Sequence, residues 1–402
     1  MIKRNLAARL TRAAAQFPAV TLTGPRQSGK STLCKALFPD HDYLNLEQPD
    51  LREFALEDPR GFLTSHPGPA IIDEFQHAPQ LASWLQILID EDPQPGRWIL
   101  TGSQNLAITQ SISQSLAGRT AVLHLLPLSY SELQRFDRAP RSLEDVLLRG
   151  GYPRIHDQGL DAADWLSAYV ATYVERDVRA LSRVENLGDF QRFLGLCAGR
   201  SGQVLNYSAL ATDCGISQPT AKAWISILKA SFLVDTLPPW AGNIRKRLVK
   251  SPKMYFIDSG VLCWLLGIRS SEQLLTHPLR GAIFESWAFA EALKAQTLSA
   301  TRRPMSHYRD QSGLEVDLVI ELSAHAELVE FKSSRTFHSS MLKPLHKAAA
   351  LWPNEGKCSM TLFYGGDQPQ QRKNASILPW HQIDRWVDGL SQKDLDPPAP
   401  TP

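Results

Sequence analysis

Residues 24–32 read Gly24-Pro25-Arg26-Gln27-Ser28-Gly29-Lys30-Ser31-Thr32, and this stretch decides the fold around it. It matches, without a departure, the phosphate-binding pattern of glycine, four residues, then glycine, lysine and serine or threonine. Each residue type has a reason. The glycines let consecutive backbone N–H groups curl round phosphate oxygens, and the helix that follows points its positive end at them. Lys30 is spaced to meet the β- and γ-phosphates, and the Ser31 hydroxyl to ligate Mg²⁺. The flanks agree: AVTLT leads in as a strand and TLCKALF leads out as a helix, which a chance glycine turn would not need. Residues 24–32 are read as the binding loop for ATP and Mg²⁺.

Outward from the loop, residues 19–126 alternate apolar runs (AVTLTG, DYLNL, PAIIDE, RWILTG, AVLHLLP) with helical patterns. One such pattern, at 80–91, sets Leu81, Trp84, Leu85 and Leu88 on one stripe. The alternation predicts a parallel sheet covered by helices. The run Ala70-Ile-Ile-Asp73-Glu74 ends in two carboxylates. Beside a P-loop, Asp73 suits the Mg²⁺ water shell and Glu74 the base that activates the attacking water. A third run, beginning at Trp98, ends in Ser103, Gln104 and Asn105, and in the sheet order of such ATPases it lies between the other two. Its tip either orients the γ-phosphate or attacking water, or simply caps a helix through Ser103 or Asn105. Arg119 is either a finger reaching a neighbouring chain's ATP or a surface arginine.

The chain has 402 residues, enough for two or three domains. It divides on pattern into an ATPase domain (1–130), a helical middle (131–258), an α/β domain (259–385) and a Pro-rich, disordered tail (386–402). At 43% apolar and 21% charged, with no run of 18 apolar residues, it has no membrane-spanning helix. Five cysteines without metal or redox spacing point to the cytoplasm. The basic N-terminus resembles a targeting peptide, but as the lead-in to the loop it is read as a packed helix. A net charge of +2 requires any nucleic-acid surface to be local.

In the middle, residues 208–229 have the layout of a helix-turn-helix: a short helix, a turn at Gly215, and a second helix capped by Ser217. Leu210, Ile216, Ala221, Ile225 and Leu228 pack the helices together, leaving Gln218, Thr220, Lys222 and Lys229 polar. Arg245, Lys246, Arg247, Lys250 and Lys253 form the basic stretch that a β-wing carries. The module either contacts DNA or serves as a lid or protein-interaction piece.

Toward the C-terminus, strands are expected near 314–321 and 327–332. A four-residue turn at 322–325 sets Asp317 opposite Glu330, which groups Asp317, Glu330 and Lys332 on one face. Two carboxylates there suit Mg²⁺, and Lys332 suits activation of a water that attacks a phosphodiester. The alternative is a solvated hairpin with a cross-strand Glu–Lys pair.

Taken in order, GPRQSGKST, IIDEFQHAP, LTGSQNL, SLAGR, PLSYSEL, GGYPR, YVERDV, KMYFIDSGV, GAIFESW, GLEVDLVIE and VEFKSS resemble one family. It comprises bacterial and archaeal AAA-type P-loop ATPases with a C-terminal domain of unassigned function, DUF4143-like. The resemblance spans nearly the whole chain. It implies an α/β protein: an AAA/ASCE-type parallel-sheet ATPase domain, a winged-helix middle and a restriction-endonuclease-like C-terminal domain. Glu285 then matches the additional acid of that fold, beside Asp317 and Glu330. Two functions follow: an ATP-driven enzyme that holds and cuts DNA, or a regulatory ATPase whose C-terminal half binds proteins and cuts nothing. A small-molecule kinase fits worse, because no acceptor site is evident. A finger such as Arg119 calls for a homo-oligomer, with six chains as the family-style expectation.

Overall fold

The computed structural model describes residues 2–103, 115–174, 187–240, 251–299, 303–322, 325–352, 358–372 and 374–393. The chain forms two compact units: Met1–Leu128 with Tyr152–Arg154 and Ala230–Phe232, and the remainder.

The first unit is built on five parallel strands, β1 (Ala19–Thr23), β2 (Asp42–Asn45), β3 (Ala70–Asp73), β4 (Trp98–Gly102) and β5 (Thr120–His124). Their order is β2-β3-β4-β1-β5, so the third run lies between the loop-bearing strand and the acidic one, as expected. β1, β3 and β4 are buried along their whole length, which is why they read as continuous apolar runs. Phe62, Phe75, Leu81, Leu85 and Trp98 form the core beneath the sheet, while Trp84 and Leu88 of the expected stripe are only partly buried against it. The N-terminal helix Ala7–Ala14 buries Ala7, Leu10, Ala13 and Ala14, in agreement with the packed reading. This is the P-loop ATPase-like part of an α/β chain.

The second unit holds a helical segment and two sheets. The helices Leu187–Ala198, Tyr207–Cys214 and Gln218–Ala230 accompany a small antiparallel sheet of β6 (Gln203–Val204), β7 (Val234–Leu237) and β8 (Lys253–Phe256), ordered β6-β8-β7. Phe190 and Phe193 pack edge-on to Trp224 at 5.3 and 5.1 Å. Gly215 ends the first of the paired helices at φ +75°, a conformation cheap for glycine. The Ser217 hydroxyl accepts from Thr220 N at 3.1 Å and caps the second.

The larger sheet is mixed, ordered β13-β14-β12-β11-β10-β9. Its strands are β9 (Met305–Arg309), β10 (Glu315–Glu321), β11 (Ala326–Lys332), β12 (Cys358–Tyr364), β13 (Gln370–Arg372) and β14 (Ala375–Pro379). Leu318 pairs with Val329, the register anticipated for the hairpin. The two sheets join where Trp240 N donates to His307 O at 2.7 Å and His307 N to Pro238 O at 2.9 Å. The helix Ile383–Lys393 buries Ile383, Trp386 and Val387, so ordered structure continues past residue 386, where the sequence predicts a disordered tail. Apolar residues three and four apart give that segment a face to bury.

Candidate nucleotide site and an acidic centre

The loop after β1 has the backbone that its glycines permit. Gly24 and Gly29 stand at φ +151° and +92°, and Gln27 also lies in the left-handed region at +62°. A Cβ on Gly24 would meet the Leu125 carbonyl oxygen at 2.2 Å, so no other residue fits there. Pro25 and Ser28 are buried, Arg26 is half-buried and Thr32 is exposed in the first turn of the helix Lys30–Leu37. From the N-terminal segment, Arg4 braces the loop, donating to Ser28 O at 2.6 Å and to Leu126 O at 2.8 Å. Lys30 Nζ donates to the Gly24 and Pro25 carbonyls, both at 2.9 Å. Burial pulls its pKa down to about 8, while Glu74 and Asp73 push the other way.

The sheet order brings the acidic pair to the same edge. Asp73, 3% exposed, accepts hydrogen bonds from the Tyr43 and Thr101 hydroxyls and from Glu74 N. Tyr43 also bonds Ser31, and burial followed by Asp73 raises its pKa well above the usual phenol range. Glu74 stands at φ +55° just beyond β3. Its carboxylate accepts from the Gln76 amide and from Ser103 Oγ at 3.4 Å, and Gln76 Nε2 also lies 3.3 Å from Ser103 Oγ. Tyr43, Gln76 and Thr101 were not singled out from sequence. Only Gln76 carried a signal, as a polar residue two positions beyond Glu74.

The residues present fit a magnesium nucleotide. Hydroxyl and carboxylate oxygens from Ser31, Asp73 and Glu74 are the donors that a hard cation takes. Buried Ser28 Oγ and Gln76 Oε1 have no hydrogen-bond partner among the described residues, as expected where a polar ligand completes a site. Gln104 and Asn105 lie outside the described residues, whereas Ser103 reaches the Glu74 carboxylate. Arg119 precedes β5, the neighbour of β1, at the opposite end of the strands from its own loop, and is paired through two nitrogens with Asp90 at 2.6 and 2.8 Å.

In the second unit, Asp317 and Glu330 face one another across β10 and β11, and Asp317 Oδ2 accepts from Phe331 N at 3.0 Å. Lys332 pairs with Glu330. Glu285, from the helix Arg280–Leu298, joins them, but through a residue that the sequence assigned to another task. Lys253 is 1% exposed, and its Nζ lies 2.8 Å from Glu285, 3.3 Å from Asp317 and in contact with Glu315. Its assignment to a DNA-facing wing is therefore corrected: as the first residue of the central strand β8, it points into the interior. Arg245, Lys246, Arg247 and Lys250 lie outside the described residues. Tyr255, on the same face of β8, donates to Glu285 at 2.8 Å. Burial, then the Asp317 charge, raises both Glu285 and Glu330 above the usual carboxylate range. Glu330 Oε2 has no partner among the described residues. A cleft of ≈ 790 Å³ opens over Asp317, Glu330 and Lys332, walled by Glu315, Lys343 and Lys347. Three carboxylates already hold an ammonium, and no described group of three or more His, Cys, Asp or Glu side chains is set to hold a metal ion. Mg²⁺ does not fit this centre as it stands.

On the paired helices, Ala221, Trp224, Ile225 and Leu228 are buried, while Gln218 and Lys222 are exposed. Lys229 is tied to Thr236 at 2.6 Å and to Asp235 at 3.7 Å.

Residues 16–134 match the family described as AAA domain, 140–272 that described as Domain of unknown function (DUF8612), and 280–383 that described as Domain of unknown function (DUF4143). Uncharacterized proteins of Mycobacterium tuberculosis (strain H37Rv) and Mycobacterium bovis are each 32% identical over 365 residues, 88% of this chain and 80% of theirs. A solved Walker-type ATPase of Pyrococcus abyssi is similar over 66% of this chain and 96% of its own, at 15% identity and a TM-score of 0.45. On the sequence matches, the chain belongs to the family of P-loop ATPases that join an AAA domain to a C-terminal DUF4143 domain, the family of these mycobacterial proteins.

Proposed function

We propose that the chain binds and hydrolyses ATP at residues 24–32 with Asp73 and Glu74, and that its middle segment holds DNA. The observation that carries the reading is the sheet order, which sets the loop after β1, the acids at the end of β3 and Ser103 after β4 along one edge. Ser31 and Asp73 would hold Mg²⁺, which would supply positive charge beside the phosphates. Lys30 leaves the loop carbonyls for the β- and γ-phosphates, so the buried amine gains anionic partners. Glu74 takes a proton from the attacking water as its oxygen bonds to the γ-phosphorus, and the bond to the β–γ bridging oxygen breaks to release ADP. Gln76 and Ser103 set the direction of the Glu74 carboxylate. Arg119 lies a strand length, about 16 Å, from its own loop. As a finger it serves a neighbouring copy, which makes the working form a homo-oligomer, with a ring of six as the proposed number.

For DNA, the order helix, strand, two helices and two strands, with the last strand central, supports a winged-helix reading, and Gln218 and Lys222 are exposed on the second of the paired helices. The five cysteines are unpaired and no described helix is long and apolar enough to cross a membrane, which suits the cytoplasm. A specific observation bears on cleavage by Asp317, Glu330 and Lys332: Lys253 occupies the carboxylates, which favours the reading in which the C-terminal domain is a binding platform that does not cut.

Equilibrium binding of a fluorescent ATP analogue and of duplex DNA tests the proposal. Lys30→Ala is expected to abolish nucleotide binding. Affinity for DNA is expected to fall steeply between 50 and 200 mM salt, by roughly tenfold or more, and to weaken in Lys222→Ala. Undiminished nucleotide binding by Lys30→Ala would remove the P-loop from the account, and salt-independent DNA binding would remove the winged-helix role.

A further inference from the structure

We infer that the acidic centre of the C-terminal domain takes its cation from within the chain: the Lys253 ammonium stands where a divalent ion would sit, and the centre takes up no divalent metal while β8 holds its place. The inference rests on the non-cutting reading of this domain and is independent of ATP hydrolysis.

Geometry and stoichiometry support it together. An ammonium has three N–H donors. Lys253 has three carboxylates about it: Glu285 from the helix Arg280–Leu298 at 2.8 Å, and Glu315 and Asp317 from β10, the latter at 3.3 Å. Two of these are residues that the sequence assigns to a metal. All three donors are satisfied, and the point that an ion would need to share these oxygens is filled. The remaining acid does not turn to the same point. Glu330, 4% exposed, is paired with Lys332 through one oxygen and leaves the other without a partner among the described residues. The carboxylates are thus divided between two lysines instead of gathered round one ion.

The lysine is not a flexible side chain that has wandered in. Its backbone lies on the central strand of the small sheet, paired with Val204 on one side and Leu237 on the other. β7 runs on to a bridge between Pro239 and His307, a residue of β9, which pairs with β10. Tyr255, two residues along the same face, hydrogen-bonds the same Glu285 oxygen. The strand fixes where the side chain starts, and burial together with the three carboxylates holds its ammonium in place.

Mn²⁺ binding, followed by electron paramagnetic resonance in nucleotide-free protein, tests this. Wild type and Asp317→Asn are expected to titrate alike, because neither offers a site here. Their difference isolates this centre from the nucleotide site. Lys253→Ala is expected to gain about one Mn²⁺ per chain, lost again when Asp317→Asn is added. An extra Mn²⁺ on wild type over Asp317→Asn overturns the inference. A folded Lys253→Ala that gains none overturns it too. Where Lys253→Ala does not fold, the comparison of wild type with Asp317→Asn decides alone. Nicking of supercoiled plasmid by the same samples reports separately on the non-cutting reading: a wild type that binds Mn²⁺ without nicking sinks the inference and leaves that reading standing.

Discussion

Glu74 sits in the left-handed region at φ +55°, an uncommon place for a residue with a side chain. Two hydrogen-bond donors, Gln76 and Ser103, hold its carboxylate. The Gln76 amide must turn its nitrogen to the carboxylate, which leaves Oε1 unpartnered among the described residues. An acceptor so placed suits the attacking water. Gln76→Ala is therefore expected to lower kcat by roughly tenfold or more while nucleotide affinity stays within about threefold, as steady-state kinetics and equilibrium binding will show. Equal losses in both would mean that Gln76 only supports the loop. The loop residues were legible because phosphate binding demands particular residue types at particular spacings. Ser103 was legible as the polar tip of the third run, whereas Tyr43 and Thr101 act on Asp73 from other strands, and the sheet pairing that brings them there leaves no mark in a local pattern.

At the scale of elements, the hairpin of β10 and β11 was legible to the residue, since a symmetric turn fixes which side chains oppose. Lys253 was not. A basic run beside a helix-turn-helix reads as solvated, and the only opposing sign was the alternation Lys253-Met254-Tyr255-Phe256 of a fully buried strand. β9, β13 and β14 are only three to five residues long, and the sequence reading did not single them out. The last helix offers a test. Asp384 accepts from Ser131 N at 2.6 Å and shares a hydrogen bond with Glu291. Burial, followed by the Glu291 charge, raises its pKa from 3.8 to about 7. A raised folded value contributes stability that is full below 3.8 and lost as pH rises through about 7. Wild type is thus expected to lose stability across this window. Asp384→Asn, which cannot ionise, will flatten the loss by up to a few kcal/mol. Urea unfolding at pH 5 and pH 8 measures it; identical pH dependence in both proteins would contradict the assignment.

At the scale of the whole molecule, the first unit has one sheet and the second has two, each unit has its own buried core, and the chemistry divides the same way. The first unit has a nucleotide loop, an acidic pair and orphaned polar atoms that call for a ligand. The second has an acidic centre that already contains its counter-charge. Composition and motif order could not reveal which acids were left open, because that depends on where one lysine is delivered. The central claim is that ATP is hydrolysed at the first site with Glu74 as base. Phosphate release from ATP by wild type and by Glu74→Gln tests it most directly. The expected result is turnover by wild type and a fall of about a hundredfold or more in the variant, with ATP still bound to it. Phosphate release at an unchanged rate in Glu74→Gln, or none from wild type, would contradict the account.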